Sequence, residues 1–264
     1  MLKGALHIHS TYSDGEFTLP ELRELFLAEQ CSFVCMSDHA EYFDAESISR
    51  YIGECESLSD SQFRMVPGLE YTCERNMHIL GYSATRLTQA ANPQEIIRHI
   101  DSQGALSVIA HPSNDFFGWI ESFSTLPRGI ETWNSKYDGQ YAPRPGTFAL
   151  LQSLKRHPAL MNAYYGIDLH WKKQFRRLFI VIDGDSNNTA TIMTALAEGK
   201  YTARKDGLEL PSSGILPDAL LAQFARVHAR SDQVRGFLKD GKKFMDRLGI
   251  RLPAALKAQL RRIF

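Results

Sequence analysis

Six of the nine histidines fall into a spaced set with Asp14, Glu70 and Asp168, each placed where a short apolar run ends. The set begins at Leu6-His7-Ile8-His9 and passes through Ser13-Asp14-Gly15, Ser37-Asp38-His39 and Gly68-Leu69-Glu70. It continues with His78-Ile79-Leu80-Gly81 and Ala110-His111-Pro112 and closes at Gly166-Ile167-Asp168-Leu169-His170. In an extended strand, residues i and i+2 share a face. His7 and His9 are therefore expected to point into one space, as are Asp168 and His170. Imidazole and carboxylate donors without thiolate suit Zn²⁺, Mn²⁺ or Fe²⁺ and do not choose among them. A lone His-x-His is a weak signal; seven motifs in one order read as a metallohydrolase.

Such donors need rigid elements to aim them. Residues 2–9 read as a first buried strand ending in the histidine pair. Thr18-Leu-Pro-Glu21 has the form of a capping box, with Pro20 tolerated in the first turn of a helix over 19–30. A second strand, 33–36, delivers Asp38 and His39, and a helix over 45–58 follows. Strands are expected at 63–66, 78–82, 106–110, 130–133, 160–164 and 179–182, with helices over 93–103, 148–156 and 189–198. Strand and helix alternate, which predicts a parallel sheet with helical crossovers. The donors are expected after the strands' carboxyl ends, the end that carries the active site in parallel α/β barrels. The expected fold class is thus α/β, a compact and incomplete (β/α) barrel over residues 1–205. Residues 206–264 are expected to form a helical C-terminal extension packed on it, with helices over 218–239 and 253–263 after a Pro- and Ser-containing linker near Leu210.

The bulk composition fits a folded enzyme. With 264 residues, 44% hydrophobic and 23% charged, the chain suits one large domain with a small appendage. Neither a signal peptide nor a run of about 18 apolar residues is visible, so a cytoplasmic protein without a membrane span is expected. Cys31, Cys35, Cys55 and Cys73 form no Cys-x-x-Cys pair and read as small core residues of a reduced protein. Net charge is zero, but residues 201–264 carry +7 and residues 1–200 carry −7. The basic segment allows a polyanion partner, although a +7 stretch without a recognisable nucleic-acid module is a weak signal.

Two further segments follow strands. Glu131 to Pro145 is rich in basic and aromatic side chains, and Arg144 or Lys136 from it could grip phosphate, Arg bidentately. Trp171-Lys172-Lys173 adds charge beside the last donor pair. Asp183-Gly-Asp185-Ser-Asn-Asn lacks the downstream glutamate of a calcium loop and reads as a turn leading to the helix cap Asn188. His99, His157 and His228 lie outside the spaced set and read as structural or surface residues.

The ordered donor set resembles the polymerase and histidinol phosphatase (PHP) family over about residues 1–200, with each expected ligand matched. The resemblance implies a distorted seven-stranded (β/α) barrel holding two or three divalent metal ions. By that analogy His7, His9, Glu70 and Asp168 hold the first ion. Glu70 bridges to a second, held also by His78 and His111, and Asp14, His39 and His170 hold the third. One departure is Gly-Ile-Asp-Leu-His at 166–170, where many members have Gly-Ser-Asp-Ala-His; both ligands survive. The implied activity is hydrolysis of a phosphate ester of a small metabolite or nucleotide. In it a water bridging two cations ionises near neutral pH and attacks in line, with Glu70 and Asp168 at its centre. Alternatives are an exonuclease trimming single-stranded ends, hydrolysis of an amide bond, and a non-catalytic scaffold stabilised by metal.

Overall fold

A computed structural model gives the fold and describes residues 1–155, 161–184 and 186–247. Leu2–Ile8 (β1) is buried from Gly4 onward and is the strand on which two sheets meet. Its neighbours in the first sheet are Phe33–Met36 (β2) and Arg64–Val66 (β4) on one side. On the other side are Phe179–Ile182 (β10), Tyr201–Lys205 (β11) and Leu208–Pro211 (β12), giving the order β12-β11-β10-β1-β2-β4. The second sheet runs Asp38–His39 (β3), Gly68–Thr72 (β5), His78–Tyr82 (β6), Leu106–Ile109 (β7), Gly129–Asn134 (β8) and Asn162–Gly166 (β9). Backbone bonds join the two: Ser37 N to Ile8 O at 2.9 Å, Ile167 N to Leu6 O at 3.0 Å and His9 N to Leu169 O at 3.0 Å.

Helices Leu19–Ala28 (α1), Ala45–Ser57 (α2), Pro93–Asp101 (α3), Phe117–Glu121 (α4), Pro145–Leu154 (α5) and Thr189–Ala197 (α6) connect the strands. Four of these starts carry a side-chain cap, whereas α4 was not expected and α5 begins at Pro145 and not at the expected 148. Thr18 and Glu21 form the expected capping box, Asp44 and Ser47 form another, and Asn92 and Asn188 cap α3 and α6. Each cap satisfies backbone N–H groups that the first helical turn leaves unpaired. Each central strand buries both faces, and the four cysteines are buried free thiols within this core.

The fold is mixed α/β, with seven α-helices among the described residues. The expectation of an all-parallel sheet fails. Pairs β1–β2, β2–β4, β3–β5, β7–β8 and β8–β9 are parallel. Pairs β5–β6, β6–β7, β1–β10, β10–β11 and β11–β12 are antiparallel. Residues 73–77 alone join β5 to β6, far short of the dozen or so residues a parallel crossover needs, so the chain must turn back. His78 accordingly sits at the amino end of β6, opposite Thr72, and not after a carboxyl end. Reversal of the strand brings it to the same edge as the other donors.

The stretch read as a linker also differs. Leu208–Pro211 is a strand, paired with β11 through a two-residue turn at Asp206-Gly207. Both turn residues have positive φ, 50° and 81°, the conformation that favours Asp-Gly in tight hairpins. The chain divides into two units, Met1–Leu216 and Pro217–Phe264. The described part of the second contains one helix, Asp218–Arg247 (α7), longer than the expected 218–239. The expected helix over 253–263, and Leu160 and His157, lie outside the described residues. No described helix is long and apolar enough to cross a membrane.

Glycine substitutions separate backbone strain from packing here. A Cβ on Gly207 or on Gly53 of α2 would meet nothing within 4 Å, yet only Gly207 has positive φ. Gly207→Ala is expected to cost about 1–2 kcal/mol, and Gly53→Ala to stabilise by about 0.8 kcal/mol. Urea unfolding midpoints of the two variants check the opposite signs.

Candidate metal centre

The donors do not sit on ideal strands. The β1–β2 register shifts between Leu6 and Ile8, and His7, the residue between them, has φ 63°. Asp168 has φ 56° and His111 φ 27°. Left-handed backbone at a non-glycine residue costs about 1–3 kcal/mol and persists only where the surroundings enforce it. The simple i, i+2 expectation is therefore replaced by a bulge, which re-aims a side chain. The outcome is still convergence: the rings of His7 and His9 lie 5.2 Å apart, and those of His9 and His170 lie 3.9 Å apart.

Glu70, buried in the middle of β5, is the hub. Its Oε2 lies 3.2 Å from His7 Nε2, 3.2 Å from His9 Nε2 and 3.7 Å from His39 Nε2. Its Oε1 lies 2.9 Å from His78 Nδ1 and 3.2 Å from His111 Nε2. Asp168 Oδ1 is 3.8 Å from both His7 Nε2 and His9 Nε2 and 3.0 Å from His170 Nδ1. Asp14, the most exposed donor, has Oδ2 3.2 Å from His170 Nε2 and Oδ1 3.7 Å from His9 Nδ1. Three groups have ligand atoms close enough to share an ion: His9, Asp14, His39 and His170; His7, His9 and Asp168; and His7, Glu70 and His111. His9 thus joins the donors assigned by resemblance to the third ion as well as those of the first. His78 reaches the cluster through Glu70.

The donor chemistry fits divalent cations. Both ring nitrogens of His9, Nδ1 of His39 and Nδ1 of His78 are buried with no hydrogen-bond partner. His9 Nε2 and His78 Nδ1 lie close to Glu70 oxygens without hydrogen-bond alignment. Unpaired nitrogens beside carboxylate oxygens, as His9 Nε2 and His78 Nδ1 stand beside Glu70, suit ligation of a shared cation. Buried nitrogens left unpaired are otherwise costly. Burial lowers the His9 imidazole to about 3, outweighing Glu70, so it is neutral and its lone pair free. Against the burial penalty, His7 and neighbouring imidazoles hold Glu70 and Asp168 well below the usual carboxylate range. Neutral imidazole and ionised carboxylate are the forms that bind metal. His7 is raised instead: burial opposes its charge, but Glu131, Asp168 and Glu70 prevail.

Glu131 was not among the residues singled out for the site, yet it braces it. Fully buried in β8, it accepts from His7 Nδ1 at 2.9 Å, from His111 N at 2.9 Å and from Asn134 Nδ2 at 2.8 Å. The first bond fixes the tautomer that turns His7 Nε2 toward the donors. Asn134 Nδ2 also donates to Asp168 Oδ2 at 3.0 Å. Gly166 is required beside it, because a Cβ there would stand 1.8 Å from Glu131 Oε1. A carboxylate in a strand buried along its whole length was the available signal. Asp38 does a similar job for the 10–14 loop, accepting from Ser10 N at 2.7 Å and Ser13 Oγ at 2.7 Å; burial pushes it up to about 6.

The two proposed phosphate grips part company. Lys136 Nζ lies 3.1 Å from Asp168 Oδ1 and 3.3 Å from His170 Nδ1, inside the cluster. Arg144 instead pairs through Nε with Asp138 Oδ1 at 2.9 Å and donates to Tyr137 O at 2.9 Å. Asp138 is buried and its carboxyl is pushed up to about 7 by that burial, so it needs the guanidinium. Outside the cluster, His99 Nε2 is hydrogen-bonded to Arg86 O at 2.8 Å.

No family model matches the chain. A stretch of 77 residues, 26% of this chain, is 31% identical to the DNA polymerase/3′-5′ exonuclease PolX of Bacillus subtilis and spans 14% of that protein. Among solved structures, a two-domain protein of Bacteroides vulgatus, described as containing a predicted PHP-like metal-dependent phosphoesterase, superposes with a TM-score of 0.53. It is 18% identical, over 85% of this chain and 69% of that one, and the likeness is one of fold. A Bifidobacterium adolescentis protein, assigned by name to the metal-dependent phosphoesterases, gives a TM-score of 0.48 at 15% identity, over 74% of this chain and 96% of that one.

Glu131→Gln keeps the shape but loses the charge that orients His7. Affinity for Mn²⁺ or Zn²⁺, measured by titration of chelated protein, is expected to fall about 10–100-fold, with the circular dichroism spectrum unchanged. For Asp138 the sign is set by a folded pKa above its unfolded value. The folded state then holds the proton more tightly, so stability falls as pH rises from about 4 to about 7. Asp138→Asn removes that titration. Its urea midpoint relative to the parent, both metal-free, is expected to climb across that window.

Proposed function

We propose that the chain is a divalent-metal-dependent phosphoesterase of the PHP type, hydrolysing the phosphate ester of a small phosphorylated metabolite or nucleotide. One observation carries this reading: donors from seven separate segments meet around Glu70 and Asp168, with buried imidazole nitrogens that nothing else satisfies. The backbone bonds from β1 to residues 167–169 support a distorted seven-stranded barrel as its scaffold. His7, His9, Glu70 and Asp168 would hold one ion, Glu70 with His78 and His111 a second, and Asp14, His39 and His170 a third. Two or three such ions, Zn²⁺, Mn²⁺ or Fe²⁺, supply Lewis acidity and a water ionised near neutral pH.

The chain's own groups do the rest. Glu70 and Asp168 stay ionised, and Glu70 gathers five imidazoles within 3.7 Å of its two oxygens. Lys136 is half-buried; burial opposes its charge, but Asp168 raises it above the ordinary lysine value. It therefore stays protonated and donates from Nζ to a phosphoryl oxygen, stabilising the charge that grows there. Arg144 acts at one remove: by neutralising Asp138 it stiffens the 134–144 loop that carries Lys136. Water attacks phosphorus directly as the bond from phosphorus to the ester oxygen breaks; one proton of the water ends on the departing alcohol and the other stays on the phosphate, with no covalent intermediate on the enzyme.

A second reading, exonuclease action on single-stranded ends, is favoured by the similarity to the Bacillus polymerase/exonuclease. The two share the same centre and differ in the substrate it meets. Chelated protein reloaded with Mn²⁺ or Zn²⁺ is expected to hydrolyse p-nitrophenyl phosphate. His9→Ala or Asp168→Asn should lower kcat by a factor of about 100 or more with the fold intact, and Lys136→Ala should raise KM. A His9→Ala protein with the parental rate would sink the proposal. Steep loss of oligonucleotide binding with salt would move the substrate assignment to nucleic acid.

A further inference from the structure

Seven large apolar side chains are exposed among the described residues, and three of them stand against donor histidines. Tyr42 is 56% exposed with its ring 6.2 Å from that of His39. Tyr137 is 46% exposed and 4.4 Å from His111, and Trp171 is 40% exposed and 5.7 Å from His170. These rings come from three different loops, after β3, after β8 and after β9. Leaving an aromatic side chain in water forfeits hydrophobic stabilisation, so exposure concentrated at one rim calls for an occupant. Two of the rings have an ammonium nearby: Lys136 Nζ is 5.0 Å from the Tyr137 centroid and Lys173 Nζ is 5.2 Å from that of Trp171. Electron-rich faces beside positive charge match a ligand that joins a planar ring to an anion.

We infer that Tyr42, Tyr137 and Trp171 determine specificity by stacking on a planar aromatic ring carried by the alcohol portion of the phosphoester. The inference rests on the phosphoesterase reading and narrows its substrate. A phosphate seated at the donors places the rest of its molecule at this rim, where a flat ring excludes water from two aromatic faces. A ring-free polyol phosphate gains no such contact. Two sources share the chemistry: a nucleobase held a few bonds from the phosphate by its ribose, or an aryl group bonded to the ester oxygen. Support for the donors alone would be a structural role, and it would weaken hydrolysis of every phosphoester equally.

The test compares the Mn²⁺-loaded parent with Trp171→Ala, Tyr42→Ala and Tyr137→Ala on adenosine 5′-monophosphate, p-nitrophenyl phosphate and glycerol 3-phosphate. The ratio of kcat/KM for a ring-bearing over the ring-free ester is expected to fall about tenfold in Trp171→Ala. The change should lie mainly in KM, and Trp171→Phe should recover most of it. A fall confined to the nucleotide assigns a nucleobase; a fall confined to the nitrophenyl ester assigns an aryl group. Equal losses on all three esters in every variant overturn the inference and leave the phosphoesterase reading standing. If the parent hydrolyses none of them, that reading fails, and tryptophan fluorescence decides the rim separately. Quenching by adenosine 5′-monophosphate that vanishes in Trp171→Phe supports stacking; parental protein that shows no quenching overturns it.

Discussion

A carboxylate with almost no exposure to water, Glu70, lies within 3.7 Å of five imidazoles. Much of the molecule follows from that arrangement. An ionised carboxylate removed from water is stable only if opposite charge or hydrogen-bond donors surround it. Protons on some of the histidines can supply that balance, and so can divalent cations. The two compete for the same nitrogens, which ties occupancy of the site to pH. Five histidines cannot reach one carboxylate from a single element. They come from β1 and the residue after it, β3, β6 and the turn after β7, elements of both sheets.

Holding that geometry takes strain and support together. His7, His111 and Asp168 all adopt positive φ, and each is tied down by a neighbour. Glu131 binds the His7 ring and the His111 backbone, and Asn134 links Glu131 to Asp168. Gly166 leaves room for the Glu131 carboxylate, so an apparently plain residue in the last donor motif is there for space. Strain of this kind persists where packing over-determines the backbone. The β8 strand therefore serves the site as much as the strands that carry donors.

The donor types and their order could be read directly, because each lay at the border of an apolar run where few charged residues belong. Helix starts with a side-chain cap were plain, since a cap is a local event, as at Thr18 and Asn188; the uncapped starts at Pro145 and Phe117 were misplaced or missed. Strand direction was not legible, because it depends on which strands become neighbours. The short 73–77 connection was the clue that β6 reverses. The β11–β12 hairpin was signalled by Asp206-Gly207, but the Pro- and Ser-containing stretch beside it suggested a linker. The bulge at His7 has no local signature; it comes from pairing with β2 and from the bonds between β1 and residues 167–169. Glu131 was passed over because its partners, His7 and His111, are remote in sequence, and Arg144 looked free because Asp138's burial cannot be seen in a string.

Burial across the cluster is graded, and the gradient gives the site a direction. His7, His9, Glu70 and Asp168 are closed off from water, His39, His78 and His111 are partly open, and Asp14 is 37% exposed. Electrostatic interactions strengthen as water is excluded, so the deep donors set the field and the outer ones face exchange with solvent. Lys136 stands between the two regions, paired with Asp168 yet partly accessible. That ammonium offsets the charge of Asp168 at the border with solvent, while Asp14 is the donor carboxylate most open to it. Asp14 is joined at 3.2 Å to the buried His170, and the exposed Trp171 is next in the chain. Buried donors and exposed side chains thus sit side by side in the same short segments, and a change in one loop alters both.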